Sequence, residues 1–231
     1  MKNSIINRRI VKVIATALGT LNERAAYVGG AMVSLYANDP AADDVRPTKD
    51  LDLTLEIASF TELNKLETEL AAKGFKPDSE SGIICRFKYK DVLVDIMATK
   101  EIGWAPSNKW FAPGFAQLQK VVLDDISINI LPLSYFLASK FSAFHNRASD
   151  ARTSHDFEDI VYILDNNTSL VHEIVNAPEE VKTYLKEELK QILHNAQLQE
   201  AVLAQLEYIT QAERFQLIMD KLKQITTEEI S

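Results

Sequence analysis

The sequence is poor in cysteine, glycine and proline, and it contains no long hydrophobic run. With one cysteine among 231 residues, an internal disulfide is excluded, which fits a reducing cytoplasm. No glycine follows Gly114 and no proline follows Pro178, so the C-terminal half offers few breaks to helices. No apolar stretch approaches the roughly 20 residues of a transmembrane helix, and residues 1–4 lead into a charged segment rather than a signal peptide. We therefore expect a cytoplasmic protein without a membrane partner.

Positive charge is also scarce. Lys and Arg number 25 against 33 Asp and Glu, which gives a net charge of −8. This balance argues against a general nucleic-acid binder, because such proteins neutralise phosphates with surplus Lys and Arg. A local basic groove remains compatible with it. The four histidines have no zinc-like spacing with Cys85, so we expect no transition-metal site.

The clearest pattern is a strict alternation over residues 50–57. One face carries Asp50, Asp52, Thr54 and Glu56, and the other carries Leu51, Leu53, Leu55 and Ile57. A period of two predicts a strand with one buried face. Two carboxylates that are two strand residues apart, about 7 Å, can lean onto one ion. The alternative is an edge strand that shows a charged face to water.

Two glycines follow a short apolar run upstream of this strand. Residues 25–28 are predicted to form a strand, and residues 31–36 a helix. Gly29 and Gly30 between them allow the backbone to approach a ligand closely, and a helix N-terminus is a seat for phosphate. An ordinary tight turn is the alternative.

Residues 83–89 and 91–97 are predicted to form the two strands of a hairpin that turns near Lys90 and Asp91. A third carboxylate, Asp95, lies inside the apolar run of residues 92–97. An unpaired charge in a buried strand costs several kcal/mol, so Asp95 needs a cation. A Lys or Arg can serve, and so can a metal shared with Asp50 and Asp52. Three carboxylates about 4 Å apart repel by roughly 4 kcal/mol per pair at an effective dielectric of 20. Oxygen ligands of this kind suit Mg²⁺.

These features resemble the nucleotidyltransferase superfamily, and more closely its AbiEii-type abortive-infection toxins. The similarity extends over roughly residues 25–165. The residues that carry it are Gly29, Gly30, Arg46, Thr48, Asp50, Asp52 and Asp95.

The resemblance implies a chemistry for the site. Asp50, Asp52 and Asp95 would be catalytic and would hold Mg²⁺ or Mn²⁺, with Asp95 available as a base. Gly29 and Gly30 would bind the nucleotide together with Arg46 and Thr48. For Arg46, screening of the aspartates is an equal alternative to phosphate binding.

The helical half contains a second informative stretch. An apolar stripe at helical spacing covers residues 133–144, and Lys140 falls inside it. A lysine there must snorkel, pair or meet an anionic ligand. The resemblance implies that Lys140 contacts nucleotide phosphates and that Asp156 supports the site. A buried ion pair for Lys140, and a capping box that begins at Thr153 for Asp156, are the alternatives; Asp159 is expected further toward solvent.

Aromatic side chains interrupt the pattern at residues 104–117. They include Trp104, Trp110 and Phe111, with Lys109 among them. Stacking of a nucleotide base and a satellite apolar cluster are both consistent with the composition.

We therefore predict an α/β (α+β) protein. A small mixed sheet with a nucleotidyltransferase-like core is expected over residues 1–131, and a helical bundle that completes the nucleotide site over residues 132–231. The expected activity moves NMP from an NTP, ATP among the candidates, to an acceptor hydroxyl and releases pyrophosphate, as a toxin of a toxin–antitoxin or phage-defence system with a possible antitoxin partner. The acceptor is a tRNA end, or else a small molecule such as an aminoglycoside, or a protein. A non-catalytic nucleotide-binding protein on the same fold is the further alternative.

Overall fold

The computed structural model describes residues 2–48, 50–147 and 150–227. The chain forms two compact units, one from Met1–Ser34 with Asp44–Pro132 and the other from Leu35–Asp43 with Leu133–Ser231. The division after residue 132 lies one residue from the predicted boundary. The inclusion of residues 35–43 in the helical unit was not predicted. Hydrogen bonds explain it, because the backbone N–H groups of Asn38 and Asp39 both donate to the carbonyl of Asn166 at 3.0 Å.

The first unit is built on a mixed sheet, which confirms the predicted fold class. Its elements are α1 (Asn3–Leu18), a 3₁₀ helix (Gly19–Arg24), β1 (Ala25–Val28), β2 (Asp50–Leu55), α2 (Phe60–Ala72), β3 (Lys76–Pro77), β4 (Arg86–Tyr89), β5 (Val92–Ala98), α3 (Phe111–Phe115), β6 (Gln119–Leu123) and β7 (Ile126–Ile130). The seven strands have the order β3-β4-β5-β2-β1-β7-β6 in the part of the chain that is described. Strand β2 is parallel to β5, and β1 is parallel to β7.

Local sequence explains the elements next to the acidic strand. The apolar face of β2 is buried, with Leu51 and Leu53 fully inaccessible to solvent. Strands β4 and β5 form an antiparallel hairpin, whose turn places Lys90 in the left-handed region at φ 54°. This turn position agrees with the one predicted from the sequence, and it fixes which residues of β4 lie opposite those of β5.

The helix predicted after the two glycines is not an α-helix. Residues Gly30–Leu35 form a 3₁₀ helix of six residues, in which the N–H of Met32 donates to the carbonyl of Gly29 at 3.2 Å. The predicted helix is therefore present as a short 3₁₀ helix, and the binding of phosphate at its N-terminus stays a prediction. The run is only six residues long, and Gly30, Val33 and Ser34 have lower helix propensity than alanine or leucine, so the local sequence does not enforce a full α-helix.

The second unit is helical. It contains α4 (Leu133–Asn146), α5 (His155–Asn166), α6 (Leu170–Val175), α7 (Glu179–His194), α8 (Ala196–Ala204) and α9 (Gln211–Thr226). Apolar side chains of these helices form its core, among them Phe136, Phe157 and Leu189, each fully buried. None of the helices within the described residues is long and apolar enough to cross a membrane.

Two details of α5 differ from the prediction. Ser154, and not Thr153, is the N-cap, because its hydroxyl accepts a hydrogen bond from the N–H of Phe157. Asp159 does not face solvent; its exposed fraction is 2%. Asp156 and Asp159 are three residues apart and share one face of the helix, so both turn toward α4.

Candidate active site

Two of the predicted catalytic carboxylates lie directly opposite each other in the sheet. In the parallel pair β2–β5, Asp52 is the register partner of Asp95, and Asp50 is the partner of Leu93. Register partners on adjacent strands point to the same face, and the strands are about 4.8 Å apart. Because Asp50 lies two residues before Asp52 on the same strand, all three carboxylates share one face of the sheet.

Gly29 makes room for the carboxylate of Asp52. A Cβ atom on Gly29 would overlap that carboxylate, and it would lie 2.5 Å from Cγ and 2.8 Å from Cβ of Asp52. Gly29 also has a φ of +73°, a backbone angle that residues other than glycine adopt only at an energetic cost. Position 29 therefore requires glycine for two independent reasons, its backbone conformation and the space that the Asp52 carboxylate occupies.

Gly30 makes room for the side chains of Arg46 and Thr48 in the same way. A Cβ atom on Gly30 would overlap the Arg46 guanidinium and would lie 3.0 Å from Cγ2 of Thr48. The structure therefore brings Arg46 and Thr48 against the glycine turn, and their contact with a nucleotide stays a prediction. The Thr48 hydroxyl in turn donates to Oδ1 of Asn7 at 3.2 Å, a residue of α1 that is 1% exposed.

The first turn of α1 holds the loop that carries these residues. The N–H groups of Asn3 and Ser4 donate to the Asp44 carboxylate, and the Asn3 side chain donates to the carbonyl of Val45 at 2.8 Å. Burial raises the pKa of Asp44, but these hydrogen bonds outweigh it and hold that pKa below its ordinary value. Sequence reasoning missed this role of α1.

Arg86 is the other residue that sequence reasoning missed, and it is the counter-cation of the cluster. It lies opposite Asp95 in the β4–β5 register. Its Nε donates to Asp95 Oδ1 at 2.6 Å, and its Nη2 donates to Asp95 Oδ2 at 2.7 Å and to Asp50 Oδ2 at 2.6 Å. The hydrogen bond to Asp95 raises the pKa of Arg86 above its ordinary value. Of the two cations that the sequence left open for Asp95, the structure contains the arginine.

The metal expected from the family can be tested against these residues. The donor set suits it, because three carboxylates share one face and the cradle at Gly29 admits the Asp52 side chain. As the side chains stand, however, no group of three or more His, Cys, Asp or Glu within the described ranges is arranged around a common ion position. The guanidinium of Arg86 lies between Asp50 and Asp95 and occupies oxygens of both. The residues fit a divalent cation, provided that Arg86 yields its place.

Lys140 and Asp156 lie together in the helical unit, in a buried ion-pair group. Lys140 Nζ donates to Asp159 Oδ2 at 2.7 Å and to Asp156 Oδ1 at 3.2 Å. The other oxygen of Asp156 accepts from Arg147. The exposed fractions of Lys140, Asp156 and Asp159 are 6%, 3% and 2%. This is the ion-pair alternative for Lys140, and its contact with nucleotide phosphates stays a prediction.

The aromatic segment is packed rather than open. Trp104 contacts Phe87 with ring centroids 5.3 Å apart, and Trp110 and Phe111 are buried. Lys109 lies over the ring of Trp110 at 4.9 Å. These contacts favour the satellite apolar cluster over an exposed stacking surface.

Comparison with known proteins agrees with this geometry. The family described as nucleotidyl transferase AbiEii toxin, type IV toxin–antitoxin system, matches residues 15–228. No protein with curated function matches significantly. Among solved structures, an antigenic nucleotidyltransferase-like protein from Paracoccidioides brasiliensis superimposes with a TM-score of 0.52 at 19% identity, over 87% of this chain and 94% of that one.

At that identity the solved structure supports the fold alone, which is nucleotidyltransferase-like. The family match supports more, because it covers most of the chain and includes the glycine turn, the acidic strands and the helical unit. A toxin of a toxin–antitoxin system implies a cognate antitoxin. The chain belongs to the AbiEii nucleotidyl transferase toxin family.

Proposed function

We propose that the protein transfers NMP from an NTP to an acceptor hydroxyl, with release of pyrophosphate, and that this activity makes it a cytoplasmic toxin. The observation that carries the proposal is the direct register of Asp52 with Asp95 on adjacent parallel strands, above a glycine that must lack a side chain for Asp52 to fit. Opposed carboxylates beside a glycine turn are what a phosphoryl-transfer site needs, since such catalysis is mainly positioning and charge stabilisation.

Each residue of the site has a defined part. Asp50, Asp52 and Asp95 would hold Mg²⁺ or Mn²⁺, which would supply charge neutralisation for the triphosphate and align the reacting oxygens. Arg46 and Thr48 bind the nucleotide phosphates at the turn formed by Gly29 and Gly30. Asp95 accepts the proton of the attacking hydroxyl when its carboxylate is not engaged by Arg86.

Two further residues of the family pattern, Lys140 and Asp156, belong to the helical unit. We assign them to nucleotide binding because the family match extends through this unit. Their buried pairing means that Lys140 must give up a carboxylate contact to meet a phosphate.

The acceptor follows less directly from the residues. The family's toxin role supports an RNA end, a tRNA in the first place. The net charge of −8 supports a second candidate, a small molecule or a protein hydroxyl, because neither requires neutralisation of many phosphates. Exposed basic residues on α1, Arg8 and Arg9, are the local positive charge that an RNA acceptor would use.

The test is incubation of the purified protein with Mg²⁺ or Mn²⁺, each labelled NTP in turn, and total tRNA. We expect label in the RNA from one preferred NTP, and pyrophosphate in equal amount. Asp52→Asn should abolish transfer, whereas Asp91→Asn, the same chemical change at an exposed turn residue, should not. Transfer must also weaken steeply with salt if RNA is bound.

Other results would change the assignment. Pyrophosphate release without labelled RNA moves the acceptor to a small molecule or a protein. NTP binding without turnover in either metal refutes the catalytic assignment and leaves a nucleotide-binding protein on the same fold.

A further inference from the structure

Arg86 forms an unusually complete contact with the carboxylates that the proposed function assigns to metal. Its guanidinium engages both oxygens of Asp95, at 2.6 and 2.7 Å, and one oxygen of Asp50 at 2.6 Å. A forked pair of this kind is among the stronger charge-assisted contacts, because the planar donor matches the carboxylate.

The sheet fixes this arrangement. Arg86 is opposite Asp95 across the antiparallel β4–β5 pair, and Asp95 is opposite Asp52 across the parallel β5–β2 pair. The three strands are adjacent, so the arginine reaches the carboxylates from the neighbouring strand without a long excursion. The side chain of Arg86 is 13% exposed, that of Asp95 is 14% and that of Asp50 is 38%.

A metal would use the same oxygen lone pairs. Both oxygens of Asp95 and one of Asp50 accept from the guanidinium, and a divalent cation beside an undisplaced arginine would also meet a like charge. The two cations therefore exclude each other at these oxygens. Charge supports the exchange, since three carboxylates with one guanidinium retain net negative charge.

We propose that Arg86 is a resident counter-cation that a divalent metal must displace, so that Arg86 sets the metal concentration at which the site loads. This rests on the nucleotidyltransferase function proposed above. In the absence of metal, Arg86 relieves the repulsion between Asp50 and Asp95 and keeps the strands paired. On loading, the side chain moves off the carboxylates and becomes available to an anionic ligand.

The experiment measures thermal stability of the nucleotide-free protein across a titration of MgCl₂ or MnCl₂ at constant ionic strength. Three proteins are compared with wild type: Arg86→Gln, Arg86→Lys, and Lys88→Gln. The last makes the same charge change at an exposed residue of the same strand. Because the readout needs neither NTP nor acceptor, it is independent of the transfer assay.

We expect Arg86→Gln to melt lower than wild type without metal and to gain more from metal. The metal concentration at half of the maximal shift should fall about tenfold, since a unit charge close to the ion position is worth that much even when partly screened. Arg86→Lys should lie between the two, because an ammonium keeps the charge and loses the fork. Lys88→Gln should match wild type.

An equal or weaker metal response in Arg86→Gln than in wild type would overturn the proposal. If Arg86→Gln does not fold, a midpoint for Arg86→Lys that is no lower than that of wild type overturns it. A metal response absent from all variants overturns it as well. In each case the transfer assay with Asp52→Asn decides the proposed function separately, because transfer can survive while the competition fails.

Discussion

Replacement of Lys140 by methionine tests whether the buried ion-pair group stabilises the helical unit. Methionine keeps the length and the helix propensity of lysine and removes the ammonium. Asp159 then loses its contact at 2.7 Å and Asp156 its contact at 3.2 Å, while Asp156 keeps Arg147. Both carboxylates are buried, with exposed fractions of 3% for Asp156 and 2% for Asp159, so each loses a charge-assisted contact where water cannot replace it.

The magnitude follows from that burial. Removal of one partner of a buried pair costs about 3–5 kcal/mol, because a carboxylate remains in a low-dielectric setting. For a chain of this size each kcal/mol corresponds to roughly 2–4 °C. We therefore expect the melting temperature of metal-free, nucleotide-free Lys140→Met to fall by roughly 6–20 °C.

Two further variants make the assay specific. Lys140→Met combined with Asp159→Asn should melt higher than Lys140→Met alone, because the double variant removes a buried negative charge together with the cation that balanced it. Lys182→Met removes a lysine whose partner Glu179 is 78% exposed, and it should change stability little. The reasoning is refuted if Lys140→Met melts like wild type, or if Asp159→Asn restores none of the loss. Unchanged stability with lost NTP binding would instead make Lys140 a nucleotide ligand only.

Two other substitutions test single features of the structure. Gly29→Ala should abolish transfer and destabilise the fold by more than Gly82→Ala does. Gly82 is the control, because it has a similar φ of +70° but no atom within 4 Å of the position of an added Cβ; equal melting temperatures for the two variants would show that Asp52 adapts without cost. Burial lowers the pKa of Lys221 to about 8 from 10.5, so the unfolded chain binds the extra proton between these values and this residue's contribution to stability rises with pH there. The stability difference between wild type and Lys221→Gln should therefore grow in favour of wild type from pH 8 to pH 9.5 in denaturant titrations, and a flat difference would contradict it.

The hydrophobic pattern of the sequence predicted those features of the site that depend on a single strand. The alternation at residues 50–57 correctly indicated β2, which spans Asp50–Leu55. The hairpin turn was also predicted where Lys90 has its left-handed φ. A turn there pairs position 86 with position 95, so the sequence contained the signal for Arg86. What it lacked was a way to choose between an arginine and a metal, since either cation satisfies the same charge.

Features that depend on distant contacts were predicted less well. The periodicity of α4 correctly indicated that Lys140 is buried, but the second partner, Asp159, was predicted to face solvent. Its position three residues after Asp156 was the missed signal, because residues at that spacing share a helix face. The inclusion of residues 35–43 in the helical unit depends on hydrogen bonds to Asn166, more than 100 positions away, and no local pattern indicates such a contact.

Each unit contains a basic residue between two carboxylates, and solvent exposure separates their roles. The two carboxylates that pair with Lys140 are nearly inaccessible, with exposed side-chain fractions of 4% for Asp156 and 2% for Asp159. Around Arg86 one partner, Asp50, is 38% exposed. A metal ion in water can therefore approach the Arg86 group from the side of Asp50, where solvent screens the Arg86–Asp50 contact. The Lys140 group offers no such approach, because Lys140, Asp156 and Asp159 are all buried among the helices. The cation is therefore open to exchange from water in the sheet, whereas in the bundle a phosphate that meets Lys140 must first displace a buried carboxylate.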